Sequence, residues 1–421
     1  MLDIKFIREN SDAVKKAIKD KGIALNLDEL LKLDSQTAEL GRKLQTLREE
    51  KNALTARIPD LKGAEKNAAV EKSRSIGDEI GLLEVKFKDV SADYDAMMYL
   101  VPNIPANDVP IGKDDTENVV RYKVGESPRF DFEPKSHYDI LEANDWADFK
   151  RISKVCGTRA YSLKGAASRL EIALHMYMMD KMADKGFTMI TVPSVVREAA
   201  LFGTGHFPFG RDDAYYVEKD DIYLAGTAEV VLNSLHSDEI LEENQLPILY
   251  AGYSPCFRRE AGAAGKDTRG LIRVHQFMKV EQYVLCKADI AESKKWFETL
   301  LACAEEGLQE LELPYRVIEC CTGDMGAGKY KMYDIETWMP SENRYRETHS
   351  CSNLTDWQAR RTNLRYRENG TNKVRHCFTL NNTGIATPRI IAQFLENHQT
   401  KDGKVRIPMK LRRYMNDKEY L

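Results

Sequence analysis

Apolar residues recur at alternating steps of three and four from residue 30: Leu30, Leu33, Leu40, Leu44, Leu47, Leu54 and Ile58, with Thr37 and Lys51 in the same register. This spacing lays one stripe along a long helix. After the stretch IPDLKGAEKN the rhythm resumes through Ser73, Ile76, Ile80, Leu83, Phe87, Val90, Tyr94, Met97 and Val101. Two such stripes predict an antiparallel two-helix coiled coil, with its tip near residues 58–68. Each arm is roughly 30 residues, so at about 1.5 Å per residue the hairpin would project some 40–50 Å from its anchor. The segment VPNIPANDVPIG follows, with Pro102, Pro105 and Pro110 and no periodicity. Proline cannot continue either helix, so this stretch divides an N-terminal domain, 1–110, from a body, 111–421.

In the body the apolar spacing changes. Leu170, Ala173, Leu174, Tyr177, Met178 and Met182 suit a packed helix from Arg169 to Lys185, ended by Gly186 and followed by an apolar strand, FTMITVPSVV. Pro193 lacks an amide donor, which favours an edge or irregular position in that strand. IYLAGTAEVVLNSL reads as a strand entering a helix, with Thr227 placed to cap it and Glu229 in its first turn. Further on, YAGYSPCFRRE is predicted as a strand whose period of two puts Arg258 and Glu260 on one face. Gly262, Gly265 and Gly270 then permit a loop, and LIRVHQFMKVEQYVL returns as a second strand. There Arg273, Phe277 and Glu281 share one face, and Ile272, Val274, Met278 and Val280 the other. YDIETWMP alternates Asp334, Glu336 and Trp338. HCFTLNNTGIATPRIIAQ turns from strand to helix, with Thr387 as the expected N-cap and Pro388 as the first helical residue.

Composition narrows the class. With 421 residues, 43% of them hydrophobic and 30% charged, the chain has material for more than one domain of a soluble protein. No apolar run approaches the roughly 20 residues that span a bilayer, and the opening MLDIKFIREN is charged where a signal peptide is apolar. The eight cysteines form neither a CxxC pair nor a small secreted framework, so a reduced, cytoplasmic protein is expected. The net charge of −4 conceals a contrast. From Arg42 to Arg74 nine basic residues accompany five acidic ones, an excess of +4 that leaves −8 on the remainder. A cationic tip on an anionic body suits a polyanion, although an ordinary solvated coiled coil also carries many lysines and glutamates. GDMGAGK, residues 323–329, fits GxxxxGK, but Tyr330 stands where a phosphate loop needs Ser or Thr, and no apolar strand is expected before it. A phosphate loop is therefore rejected.

The stretch FRREAGAAGKDTRGLIRVHQFMKVE, 257–281, brings arginines, an aromatic and carboxylates onto one predicted surface. Arginine forks grip phosphate oxygens, an aromatic face stacks a base, and carboxylates accept from amines or help hold Mg²⁺. A salt-bridged exposed hairpin would show the same clustering, so charge alone does not decide. The order of residues goes further. FRxE, a loop, then RxxxFxxxE resembles motif 2 of the class II aminoacyl-tRNA synthetases, and CFRREAGAAGKDTRGLIRVHQF together with the TAE at 227–229 is similar to their seryl branch. The helix and proline-bearing strand at 169–196 resemble motif 1, on which these enzymes dimerise, and TGIATPR resembles motif 3, with Ala386 in place of a glycine.

The resemblance covers essentially the whole chain and implies an α+β fold, an antiparallel sheet flanked by helices, working as a homodimer. It implies activation of L-serine by ATP to seryl-adenylate and transfer to tRNA(Ser), with tRNA(Sec) as a further candidate, in the cytoplasm and without a membrane. Catalysis would be positioning and charge stabilisation by Arg258, Glu260, Arg273 and Arg389, with no protein nucleophile. ATP would meet Arg258, Arg259, Glu260, Val274, Phe277, Glu347, Thr348, His349, Ser350 and Arg389, with Phe277 under adenine and Arg389 on the outer phosphates. Glu347 is the candidate Mg²⁺ ligand. His349 stands where the family segment Glu-x-Ser-Ser-Cys-Ser-Asn has serine; with Cys351 it makes a weak zinc pair, and no zinc is expected. Serine would be held by Thr227, Ala228, Glu229, Glu281, Asn381 and Thr383. The hairpin would hold tRNA through Arg42, Lys43, Arg48, Arg57, Lys62, Lys66, Lys72 and Arg74. Two rivals are weighed: a ligase loading amino acids onto a carrier protein, which has no use for a long basic arm, and a non-catalytic tRNA-binding paralogue, against which Arg258, Glu260, Glu281 and Arg389 stand intact.

Overall fold

The computed structural model describes residues 1–421 except positions 264, 266 and 372. It divides into two compact units, one formed by Asp3–Lys19 with Ile23–Val101, the other by Met1–Leu2, Asp20–Gly22 and Pro102–Leu421.

The first unit is dominated by the helices Leu27–Arg57 and Gly63–Leu100. Asn26 opens the first of these, its side chain accepting from the Asp28 and Glu29 amides, which satisfies donors that no helical carbonyl reaches. The seam is the predicted stripe: Leu44, Ile76 and Ile80 are buried together, flanked by Leu47, Leu54, Leu83 and Phe87. The tip is shorter than the sequence suggests. A single 3₁₀ turn, Ile58–Asp60, leads to Lys62, and GAEKN already belongs to the second helix, because Ala, Glu and Lys favour helix once the chain has reversed.

The second unit is built on an eight-stranded sheet. Its spatial order is Val119–Val124, Tyr315–Glu319, Lys331–Met339, Arg344–Thr355, Phe378–Thr387, Gln276–Cys286, Ile248–Phe257 and Thr188–Thr191. Neighbours run antiparallel except at the last edge, where Thr188–Thr191 pairs parallel with Ile248–Phe257. One face is covered by helices: Leu170, Leu174 and Met178 of Gly165–Asp184, Phe297, Leu300 and Leu308 of Ile290–Glu310, and Ile390 and Phe394 of Arg389–His398 pack with Val280, Val284, Val317 and Ile335 of the strands. Each such side chain contributes about 1.5–3 kcal/mol of burial. Alternation then turns Phe277, Lys279 and Glu281 towards the other face, where the candidate site lies.

Several local expectations change. The outgoing strand stops at Phe257 and its partner starts at Gln276, so Arg258, Glu260 and Arg273 sit on loops and not on strand faces; Glu260 has a positive φ of 53°. Pro193 falls between Thr188–Thr191 and the two-residue strand Val195–Val196, which it interrupts. Thr387 ends its strand and Pro388 takes the N-cap position, because the Thr387 hydroxyl donates to Glu171 at 2.7 Å instead of capping. The GDMGAGK segment does follow a strand, Tyr315–Glu319, but it leads into another strand, Lys331–Met339, where a phosphate loop would need a helix.

Candidate active site

A cavity of about 250 Å³ opens on the uncovered face of the sheet. Three central strands supply its floor: Phe277, Lys279 and Glu281; Glu347, Thr348 and Ser350; Asn381, Thr383 and Ala386. Strict alternation could not bring Glu347 and Ser350 to one side. Opposite Ile335 and Glu336 the partner strand carries His349 and Glu347, leaving Thr348 as an extra residue, and this bulge rephases the pleat. Loops and helix starts add Thr227, Glu229, Arg258, Glu260, Val274, His206, Lys329 and Arg389.

At one end the groups are buried and polar. The Thr227 hydroxyl accepts from the Glu229 amide at 3.2 Å and from Lys279 Nζ at 2.8 Å, and donates to Glu281 Oε2 at 3.3 Å. Lys279 also pairs with Glu281. Glu229 Oε1 accepts from Gln358 Nε2 at 2.7 Å, and Gln358 is itself fixed by Tyr283 and Thr379 donating to its Oε1 at 3.2 and 2.8 Å. Asn381, 3% exposed, has no partner for its amide nitrogen among the described residues. An orphaned buried donor costs about 1–3 kcal/mol, so this end is built to receive a polar group.

The two carboxyls differ. Burial pushes Glu229 up, but Lys329, His206 and the Gln358 hydrogen bond outweigh it and hold the group below its ordinary value. For Glu281 burial prevails over Lys279, and the neighbouring Glu229 adds to the rise. At the other end the charge is mostly cationic. The Arg258 guanidinium lies 5.1 Å from the Phe277 ring centroid, with its Nε donating to Gly226 O at 3.3 Å. Arg389 begins the helix Arg389–His398; its Nη1 donates to Glu347 O at 2.8 Å and its Nε to Ile272 O at 3.4 Å. A helix N-terminus with an arginine beside it attracts anions.

Comparison with known proteins gives the family. The tRNA synthetase class II core domain (G, H, P, S and T) matches residues 215–398, and the seryl-tRNA synthetase N-terminal domain matches residues 1–105. A serine–tRNA ligase of Deinococcus radiodurans is 51% identical over 422 residues, spanning 100% of this chain and 99% of that protein. The chain belongs to the seryl-tRNA synthetase family. Solved seryl-tRNA synthetases share the whole fold: that of Pyrococcus horikoshii, complexed with ATP, has a TM-score of 0.90 at 42% identity, covering 100% of this chain and 99% of its own. The cytoplasmic serine–tRNA ligase of Naegleria fowleri, in complex with AMP, has a TM-score of 0.85 at 29% identity, covering 100% and 98%.

Within this synthetase most of the expected residues meet at the cavity, and four do not line it. Arg273 turns its Nη1 to Glu260 Oε2 at 2.7 Å and lies in a side cavity with Asp213, Gly262 and Ala263, so it braces Glu260 where the sequence suggests a phosphate contact. Arg259 donates to Asp212 O at 3.0 Å. Ala228 is buried against Leu232 and its neighbours. His349 is on the far side of the bulge, 1% exposed, its ring nitrogens engaged by the Thr348 hydroxyl and Gly384 O, and burial pushes its pKa down to about 4. The Cys351 thiol approaches Phe297 O. Motif 2 loop positions 264 and 266 lie outside the described residues.

The sequence reading overlooks Lys279, His206, Lys329 and Gln358. Lys279 has a signal, since period two places it between Phe277 and Glu281 on the same face. On the hairpin all eight candidate cations are exposed. Lys43, Arg48 and Lys72 pair with Glu39, Glu84 and Glu50, whereas Arg57, Lys62, Lys66 and Arg74 make no ion pair among the described residues. No helix among the described residues is long and apolar enough to cross a membrane.

Proposed function

We propose that this chain is a serine–tRNA ligase that uses the cavity to join L-serine to the AMP moiety of ATP and then to tRNA(Ser), with tRNA(Sec) as a further acceptor. The observation that carries the reading is the cavity's polarity: buried Glu229 and Glu281 beside Thr227, Thr383 and Asn381 at one end, and Arg258, Phe277 and Arg389 at the other. The first end suits an ammonium and a hydroxyl, the second an adenine and phosphates. Serine's carboxylate attacks the α-phosphorus in line and pyrophosphate leaves with the electron pair; the tRNA hydroxyl later attacks the activated carbonyl, losing its proton, and the bond from that carbonyl to the phosphate oxygen breaks with AMP leaving on the electron pair. Arg258 neutralises charge at the α-phosphate, Phe277 stacks adenine, Arg389 holds the outer phosphates, and Glu260 is kept in place by Arg273.

Mg²⁺ fits the donor set, since Glu347 and Ser350 of one strand both line the cavity with a carboxylate and a hydroxyl oxygen, the oxygen chemistry a hard cation takes. Bound there, it would neutralise phosphate charge. Dimerisation through the Gly165–Asp184 helix fits its exposed Ile172 and Met176, and a cytoplasmic setting fits the eight free cysteines. The test is ATP–pyrophosphate exchange with and without tRNA. Serine-dependent exchange in the absence of tRNA is expected; exchange that ignores serine would defeat the assignment.

Two smaller effects are expected. Because the Glu281 carboxyl is raised, its neutralisation on acidification begins above the usual carboxylate range. Loss of its charge weakens the hold on serine's ammonium, so kcat/KM for serine should fall earlier on the acid side than an ordinary glutamate would dictate, and Glu281→Gln should flatten that limb. A profile unchanged by the substitution would count against the role. Separately, neutralising Arg57, Lys62 and Lys66 should weaken tRNA binding and reduce its salt slope by about 0.7–0.9 for each phosphate that the tip no longer neutralises, with exchange intact. tRNA affinity measured against salt decides this.

A further inference from the structure

We propose that His206 is the base that takes the proton of the tRNA's terminal hydroxyl in the transfer step, and that a second cavity beside it receives the terminal nucleoside. The proposal rests on the reading of the first cavity as a serine-activating site. Two needs of the transfer step are met by no residue named so far. The attacking hydroxyl must lose a proton to a group within hydrogen-bond reach, and its nucleoside must approach while serine and AMP fill the first cavity.

A cavity of about 310 Å³ adjoins the first, and His206 and Arg258 line both. Its volume is that of a small-molecule pocket, which runs from roughly 300 Å³ upwards. Leu201, Phe207, Leu224 and Phe257 give it apolar walls suited to a base. Asp213 lines it too, and its Oδ1 accepts from the Ala261 amide at 2.9 Å, which ties this wall to the motif 2 loop. Gly226 also lines the second cavity and precedes Thr227, while its carbonyl accepts from Arg258 Nε at 3.3 Å. The two cavities therefore meet between Arg258, at the α-phosphate, and Thr227, at the amino acid. The activated carbonyl lies between those same groups.

The loop that carries His206 is fixed on both sides. Thr204 O accepts from Gln358 Nε2 at 3.1 Å, and the same nitrogen donates to Glu229 Oε1 at 2.7 Å, which sets the loop beside the amino-acid end. Gly205, with a φ of 83°, lies so close to Trp357 that a Cβ there would come within 2.3 Å of the indole. Arg361 Nη1 donates to Phe202 O at 3.0 Å and Phe207 O at 3.4 Å. The Thr204 hydroxyl turns its one proton to Ala200 O and Leu201 O at 3.2 and 3.3 Å, so it accepts from His206 Nδ1 at 2.8 Å. Nε2 then carries the lone pair, and no hydrogen bond engages it among the described residues.

The charged groups that face the imidazole are Glu229, Lys329, Arg258 and Lys279, with Asp213 across the second cavity. Burial, joined by the three cations and opposed by Glu229, lowers its pKa from the ordinary histidine value, so the ring is a neutral base at neutral pH. In the reaction the hydroxyl oxygen bonds to the carbonyl carbon while its proton passes to Nε2. The bond from that carbon to the phosphate oxygen breaks, its electron pair leaving on AMP, and the imidazolium then releases its proton to water. Ionised Glu229 stabilises the imidazolium while it lasts.

The experiment forms seryl-adenylate on the enzyme and follows single-turnover transfer to tRNA(Ser), beside ATP–pyrophosphate exchange. His206→Gln should lower the ratio of transfer to exchange about 10²–10⁴-fold; His206→Asn serves in the same way if the Gln variant does not fold. Imidazole added to His206→Ala should restore part of the transfer in proportion to its neutral fraction. Because the neutral ring is the active form and its pKa is lowered, wild-type transfer should persist through the ordinary histidine range and fall only at lower pH, a limb that His206→Gln removes. Ala214→Phe, which fills the second cavity, should raise the tRNA concentration for half-maximal transfer about 10-fold or more, with Leu224→Trp as the alternative if that variant does not fold. An unchanged ratio in His206→Gln, or an equal loss of transfer and exchange, overturns the base and leaves the proton to an oxygen of the adenylate's phosphate. Transfer indifferent to the filled cavity overturns the nucleoside's place. Wild-type protein without serine-dependent exchange would instead defeat the functional reading itself.

Discussion

Arg258→Ala is expected to lower serine-dependent ATP–pyrophosphate exchange by about 10²–10³, the usual cost of removing a donor that meets charge developing in the transition state. The side chain is exposed and lies against Phe277, and among the described residues its one hydrogen bond is from Nε to Gly226 O. Its remaining guanidinium nitrogens are therefore open to an α-phosphate. Nothing in the packed core depends on it, so the variant should fold normally, and the loss should fall on kcat more than on tRNA affinity. The measurement is exchange beside tRNA binding under one set of conditions. Exchange close to wild type would remove Arg258 from the reaction; a parallel drop in tRNA binding would point to a general defect.

Alanine should be activated about 10⁴-fold or more less efficiently than serine, because a site built to hydrogen-bond a hydroxyl is left with unpaired polar atoms when that hydroxyl is missing. The structure supplies such atoms: the Asn381 amide nitrogen is buried without a partner among the described residues, and Thr383 lies across the strand pair from Glu281. Threonine and cysteine keep a donor at the same place and should be the harder substrates to reject. The assay is exchange with each amino acid in turn. Alanine activated as well as serine would sink the assignment of Thr227, Glu229, Asn381 and Thr383.

The two helices of the hairpin are legible in the sequence, since a heptad stripe specifies its own partner: the positions read as the seam are those that meet, Leu44 with Ile76 and Ile80. The core-facing helix from residue 165 is legible for the same reason. Motif strings locate Arg258, Glu281, Glu347 and Arg389 without any knowledge of where the chain brings them. The tip is shorter than the break in the stripe implies, because helix propensity resumes immediately after the turn.

What the sequence by itself determined is therefore periodic or local: helices, strands, their buried faces, and residue types matched to a chemistry. Tertiary structure decided which of those residues share a cavity. A one-residue bulge at Thr348 sends His349 away from the site and brings Ser350 in, a shift that a period-two reading cannot anticipate. Arg273 lies on a loop and gives its charge to Glu260, which no spacing rule foretells. Lys329 enters the site from a string that resembles, and is not, a phosphate loop, held there by carbonyl bonds to Lys21, which lies 308 positions away in the chain. Bonds across that separation are fixed by the closing of the sheet and its helices, because pairing energies between distant residues are realised only once the backbone has brought them together.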